Sequence, residues 1–286
     1  MPIHPEASDE AIDLSVVAPA HNEEDNVRPL VEAVGGALAD RGLDFEFILV
    51  DDASTDATAE RAIDLQREFP WVRVVKLARP ARGGGNGQSA AFKEGFARAR
   101  GALIAVLDAD LQNDPADLPA MLDLLQREHA DMVQGDRSKA RRQGDAWIRQ
   151  VGSIVGRLFR RLLLNDTIRD TGCSLRVMKR EIALRLPLEF KGAHRFIPVT
   201  ARQMGYTVVE MDVSHHHRHA GQTKYGMGIT KRAIPGLIDC FAIRWMGKRR
   251  RVPTGVSESA SPTAKGGMDR ADAVVVTRQR EPEHSA

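Results

Sequence analysis

Apolar residues gather in short runs that stop on polar or acidic side chains. Residues 14–18, 45–50 and 102–107 are aliphatic or β-branched, with the length and composition of buried strands. Residues 72–77 read as a further strand. Helical spacing fills the gaps. Over 26–38, Val27, Leu30, Val31, Val34 and Leu38 fall on one face. The segment 56–69 opens on Ser54, Thr55 and Asp56, good N-cap chemistry, and a third helix is predicted over 89–100. This alternation predicts an α/β fold with a mostly parallel central sheet and helices on both faces. Ligands of such sheets bind beyond the carboxyl ends of the strands. Here those ends carry Pro19 to Glu23, Asp51 and Asp52, and Asp108 to Asp110.

The second half has a different pattern. Residues 147–164 place Trp147, Ile148, Val151, Ile154, Val155, Leu158, Phe159, Leu162 and Leu163 on a helical stripe. Arg149, Arg157, Arg160 and Arg161 interrupt it. Residues 229–246 form a second stripe, through Ile229, Ala233, Ile234, Leu237, Ile238, Phe241, Ala242 and Trp245, flanked by Lys231, Arg232, Arg244 and the basic run 248–251. From 252 to 286 large apolar residues are few, so a disordered tail is expected there, and residues 1–11 are expected to be flexible.

Charge changes the picture only locally. Lys and Arg number 41 and Asp and Glu 39, a net +2, which argues against a nucleic-acid-binding protein. Yet residues 136–161 carry eight Lys or Arg against two Asp, so the balance averages unlike regions. The two cysteines, Cys173 and Cys240, supply no disulfide framework, which suits a reducing compartment. No apolar run approaches the roughly 20 residues of a membrane span, and no signal peptide is expected from the first residues.

Asp108, Asp110 and Gln112 put oxygen-bearing side chains at alternate positions after a strand. Such a set suits a hard divalent cation, Mg²⁺ or Mn²⁺, that also takes diphosphate oxygens. The alternative is that they cap the next turn. Of Asp51 and Asp52, one is expected to brace the loop and the other to bind a nucleotide. The loop 82–88 (RGGGNGQ) lets backbone approach a phosphate at a helix N-terminus, although it matches neither a Walker loop nor a dinucleotide fingerprint. His215, His216, His217 and His219 invite a zinc reading, but cysteine and aspartate partners at zinc spacing are missing nearby. Arg218 and Lys224 lie in a glycine-bordered basic segment suited to closing over a diphosphate.

Taken together these runs resemble the dolichol-phosphate mannose synthase branch of glycosyltransferase family two, which has the GT-A fold. The matching stretches are VAPAHNEE (17–24), VDDASTD (50–56), DADLQNDP (108–115), DTGCSLR (170–176), GAHRFIP (192–198) and GQTKYG (221–226). The resemblance runs from about residue 12 to 247 and implies a GT-A domain over 12–228. It implies inverting transfer of a sugar, with GDP-mannose as expected donor, onto a polyprenyl or dolichyl phosphate. Carried over, Pro19, His21, Glu23 and Asp52 line the nucleotide pocket with Val50 beside them, and Asp108 and Ala109 touch nucleotide and ribose. Asp108, Asp110 and Gln112 hold Mg²⁺ or Mn²⁺, Arg137 and Arg149 face the lipid phosphate, and Arg218 and Lys224 clamp the diphosphate. Asp110, Arg137, Arg149, Arg218 and Lys224 are thus the expected catalytic set.

The chain departs from the resemblance at residues 215–218, where HHHR replaces the HRPR common in relatives, and no C-terminal membrane segments like those of some relatives are expected. Residues 229–251 are therefore expected to form a basic amphipathic helix on the membrane surface, giving a cytoplasmic, peripheral enzyme. A UDP-sugar donor, another acceptor, or a non-catalytic nucleotide-sugar-binding or membrane-associated protein are the alternative readings.

Overall fold

A computed structural model describes residues 12–141, 159–216 and 229–251. Four strands alternate with three helices: β1 (Leu14–Ala20), α1 (Val27–Leu38), β2 (Phe45–Asp51), α2 (Thr58–Glu68), β3 (Val72–Lys76), α3 (Gln88–Arg98) and β4 (Leu103–Val106). Helix α4 (Leu118–Arg127) leads to β5 (Met132–Asp136) and a helical turn at Ser138–Arg141. Beyond follow β6 (Arg176–Lys179), α5 (Arg180–Arg185), α6 (Ile197–Gln203), β7 (Val208–Asp212) and α7 (Ile229–Arg249). Among the described residues the strands form one seven-stranded sheet in the order β3-β2-β1-β4-β6-β5-β7.

The strand alternation divides the core as period-2 geometry requires. Val16, Ala18, Phe47, Leu49, Ala105 and Leu107 face α1, α2 and α4 in one buried cluster. Val17, Ile48, Val50, Ile104 and Val106 face Phe92 and Phe96 of α3, with Ile182 and Ile197, in the other. Near-continuous apolar strands thus mark a sheet covered on both faces. Gly95 is required here, because a Cβ on it would lie 2.5 Å from Val17 Cγ1.

Strands β3, β2, β1 and β4 run parallel, so their carboxyl ends share one edge. Chain order reverses direction at β1, which lies between β2 and β4. That switch point opens a crevice between β1 and β4. Strand β6 then runs antiparallel between β4 and β5, pairing Arg176 with Val106 on one side and with Gln134 on the other. Continuing that register sets Ser174 opposite Asp108, which is how a segment far along the chain reaches the crevice.

The unit containing the sheet extends to Gly247, and a second unit begins at Lys248, of which residues 248–251 are described. The stripe expected over 147–164 lies mostly outside the described residues. At its end Phe159, Leu163 and Leu164 pack with Phe196, Val199, Cys240, Ile243 and Met246 in a small third cluster. Among the described residues no helix is long and apolar enough to cross a membrane.

Candidate functional site

A cleft of about 310 Å³ opens at the switch point. It is lined from β1 by Pro19, Ala20, His21 and Glu23, from β2 by Asp52, and from β4 by Asp108, Ala109 and Asp110. Gly85, Gly87, Gln88 and Ala91, from the start of α3 and the loop before it, close the wall. The expected nucleotide residues therefore share one cavity, except Val50. Its side chain is wholly buried in the core beside Gly95 and does not reach the cleft. An alternating strand sends Val50 and Asp51 to opposite faces, and Val50's face is filled by α3.

Asp51 and Asp52 divide as expected on the bracing side. Asp51 Oδ1 accepts the Ser54 N–H at 3.3 Å. Asp52, however, is also a brace. Its Oδ1 accepts Asn86 N–H at 2.6 Å and Asn86 Nδ2 at 3.0 Å, and its Oδ2 accepts Gly87 N–H at 2.7 Å. The amides that the glycine loop offers an anion are thus held by a resident carboxylate, which revises the reading of this loop as a phosphate cradle. Gly87 needs its φ of +100°, and a Cβ on Gly85 would lie 2.5 Å from Asp52 Oδ2. His21 Nδ1 lies 2.6 Å from the Asp52 carbonyl, tying β1 to β2 across the cleft floor. Glu23 accepts Asn26 Nδ2 at 2.7 Å.

Asp108 stands where two cavities meet. Its Oδ1 accepts Gln88 Nε2 at 2.6 Å and its Oδ2 accepts the Ser174 hydroxyl. Each carboxylate oxygen has two lone pairs, so coordination capacity remains. Asp110 is only 7% exposed, and its Oδ1 accepts the Gln112 N–H at 3.2 Å. Leu111, directly after Asp110, adopts φ +57° and turns the chain as it leaves the two acids. This all-oxygen pair fits a hard divalent cation. Among the described residues no three His, Cys, Asp or Glu side chains converge, so such a cation would draw its other ligands from Gln112, water or a diphosphate. Gln112 does not line the cleft, but its carbonyl accepts His216 N–H at 2.9 Å and lies 3.2 Å from His215 Nδ1. His216 Nε2 lies 3.0 Å from Asp114 Oδ2. These two histidines therefore pin the chain before Arg218 against the Asp108 to Asp114 turn. Arg149, His217, Arg218, His219 and Lys224 lie outside the described residues.

The second cavity, about 320 Å³, shares Gln88 and Asp108 with the first. Arg137, Thr171, Gly172, Ser174, Arg176, His194, Arg195 and Phe92 complete it. Arg137 is held by Asp170, with Nε at 2.8 Å and Nη2 at 3.2 Å from its two oxygens. Asp170 also accepts the Gly172 N–H at 3.1 Å, so one carboxylate shapes the turn and aims the guanidinium. Arg176 is 2% exposed and donates to the carbonyls of Ser174, His194 and Cys173. Burial lowers its pKa to about 10, which leaves it charged at neutral pH. His194 lies 2.8 Å from the Ser89 hydroxyl, and burial, with Arg195 and Arg176 adding repulsion, pushes its pKa down to about 3. It is a neutral imidazole. Residue-by-residue reasoning gave no role to Gln88, Ser174, Arg176 and His194. Gln88 ends the glycine loop and reaches Asp108 from α3, whereas Ser174, Arg176 and His194 lie in the DTGCSLR and HRFIP runs and are brought to this cavity by the register of β6 and the turn before α6.

This geometry agrees with what the chain is similar to. It is 39% identical over 232 residues to a dodecaprenyl-phosphate galacturonate synthase of Rhizobium johnstonii, covering 80% of this chain and 66% of that protein. It is 32% identical over 228 residues to an undecaprenyl-phosphate 4-deoxy-4-formamido-L-arabinose transferase of Aeromonas hydrophila, covering 80% and 67%. The chain thus spans about two thirds of the length of these relatives. Among solved structures, glucosyl-3-phosphoglycerate synthase from Mycobacterium tuberculosis superposes with a TM-score of 0.60 at 20% identity, covering 86% of this chain and 84% of that one. A mannosyltransferase from Pyrobaculum calidifontis, in complex with GDP-Man and Mn²⁺, gives 0.52 at 18% identity, covering 71% and 55%. At such identities the likeness establishes the fold, which is GT-A. The family model "Glycosyl transferase family 2" matches residues 15–186, more than half of the chain, and the chain belongs to glycosyltransferase family 2.

Proposed function

We propose that this protein transfers a sugar from a nucleoside diphosphate to a polyprenyl phosphate, with inversion. One observation carries the reading: an acid-lined cleft and an arginine-lined cavity meet at Asp108. The first suits a nucleotide and a metal-bound diphosphate, the second an anionic acceptor. The names of the two curated relatives support a polyprenyl-phosphate acceptor. A lipid phosphate is already ionised at neutral pH, so the reaction needs no strong general base. Catalysis then rests on positioning two anions and stabilising the departing nucleoside diphosphate.

Within this reading Pro19, His21, Glu23, Asp52 and Ala109 contact the nucleotide. Asp108 and Asp110, with Gln112, hold Mg²⁺ or Mn²⁺, which when bound neutralises diphosphate charge. Arg137, aimed by Asp170, faces the acceptor phosphate, and Arg149, Arg218 and Lys224 complete the anion contacts. The donor expected from the resemblance is GDP-mannose. Both curated relatives are named for other sugars, so the donor is settled by trial. The test is a panel of GDP-mannose, UDP-glucose and nucleotide-activated galacturonate, scoring radiolabel transferred to a short polyprenyl phosphate. Transfer from at least one donor supports the reading, and binding of every nucleotide without any transfer sinks it.

Residues 229–251 are read as the surface that meets the bilayer. In the later part of α7 the predicted apolar positions face outward: Ile238, Phe241 and Trp245 are 62%, 56% and 61% exposed, while Cys240 and Ile243 are buried. An exposed aromatic and aliphatic face with Arg244, followed in the sequence by Lys248 and Arg249, suits an anionic lipid interface and supports the reading of a peripheral enzyme on the cytoplasmic face.

A further inference from the structure

The second cavity holds more positive charge than its contacts use. Arg137, Arg176 and Arg195 line it against a single carboxylate, Asp108. Arg137 is neutralised by the ion pair with Asp170. Arg176 donates only to carbonyls, which orient it without cancelling its charge, and Asp108 is the acid that shares its cavity. Pairing those two leaves Arg195. Its guanidinium is exposed at the rim and makes no hydrogen bond or ion pair among the described residues; the carboxylate that feels its charge, Asp239 of α7, does not line the cavity. Neutral His194 beside it brings no charge of its own.

The next residue has a different duty. Phe196 is buried against Cys240 and Ile243 of α7, the helix whose opposite face exposes Ile238, Phe241 and Trp245. Phe190, in the loop before the segment, is 55% exposed. One short stretch, residues 194–196, thus lines the cavity with two side chains and supports an apolar surface with the third. A ligand with an anionic head and a hydrocarbon tail matches that arrangement.

We propose that Arg195 binds the phosphate of the polyprenyl phosphate acceptor at the rim of the second cavity. This rests on the acceptor reading above. The donor diphosphate is assigned elsewhere because Asp110, which with Asp108 would seat its cation, lines the first cleft and not the second. A carboxylate on the donor sugar is the competing oxyanion, and the experiment separates the two.

Initial rates are measured for the full chain, wild type, Arg195→Ala and Arg195→Lys, varying a short polyprenyl phosphate and the preferred donor independently. Arg195→Ala raises the acceptor KM about tenfold or more, the effect of losing a charged hydrogen bond, and leaves the donor KM within about twofold. Arg195→Lys recovers part of the loss, because phosphate accepts a point charge. An unchanged acceptor KM in a wild-type-active background overturns this inference alone. So does a rise confined to the donor KM, which assigns Arg195 to the sugar. A wild type that transfers to no polyprenyl phosphate overturns the functional reading and this inference with it. Thermal melting within about two degrees of wild type is expected, since the side chain is exposed.

Discussion

The carboxylate of Asp52, at the end of β2, holds the backbone N–H of Gly87, at the start of α3, at 2.7 Å. With the two bonds to Asn86 it fastens the glycine loop at the wall of the first cleft. Asp52→Ala is expected to raise the donor KM at least tenfold and to lower Tm, since charge-assisted hydrogen bonds contribute roughly 1.5–3 kcal/mol each. Gly85→Ala is expected to act in the same direction by displacing the carboxylate. Donor titration together with thermal melting checks both, and a normal donor KM in Asp52→Ala removes the brace from function.

The proposed metal dependence is tested at Asp110. Asp110→Ala is expected to reduce transfer by about a hundredfold or more, the scale of losing electrostatic stabilisation of a leaving group. EDTA should silence the wild type, and Mn²⁺ or Mg²⁺ should restore it. Calorimetric binding of the nucleoside diphosphate should lose its Mn²⁺ requirement in the variant. Undiminished activity after EDTA or in Asp110→Ala would eliminate a metal at this position.

His194 makes stability depend on pH in a defined window. Its folded pKa of about 3 lies below the ordinary value of 6.5, so the unfolded chain binds the proton more readily. The stabilising contribution is complete above pH 6.5 and is lost progressively as pH falls towards 3, on the order of a few kcal/mol at most. His194→Gln should flatten this part of the curve. Denaturant melts between pH 7 and 4 provide the comparison, and parallel slopes for the two proteins would contradict the assignment.

The outward face of α7 can be tested without disturbing the core. Ile238→Glu with Trp245→Glu is expected to weaken co-sedimentation with anionic vesicles by about tenfold or more, given roughly 1.5–3 kcal/mol for burying each large apolar side chain. Salt should weaken wild-type binding, because the flanking basic residues contribute through the surface potential. Equal sedimentation of the two proteins would detach this helix from the membrane.

Strands and helices of the first half were legible because burial on both sheet faces demands near-continuous apolar runs, which few other structures produce. Leu14–Ala20, Phe45–Asp51 and Val72–Lys76 fall within two residues of their predicted ends. Asp108 and Asp110 were legible for the same reason, as acids directly after such a run. Val50 stays in the core because it lies inside β2 under α3, whereas Asp52 stands beyond the strand end, where the cleft opens. Which way α7 faces is not in its pattern: Cys240 and Ile243 take inward positions because Phe196 and Val199 offer them a partner.

The sequence by itself determined the α/β alternation, the acids at the strand ends and the basic character of the second half, because local periodicity and composition carry those properties along the chain. Only the tertiary structure decided what meets at Asp108. Gln88 arrives from α3, Ser174 and Arg176 through the antiparallel register of β6, and His194 with Arg195 from the turn before α6. These contacts join residues up to about a hundred positions apart, and no local pattern encodes which distant loop a strand's register will bring to a carboxylate.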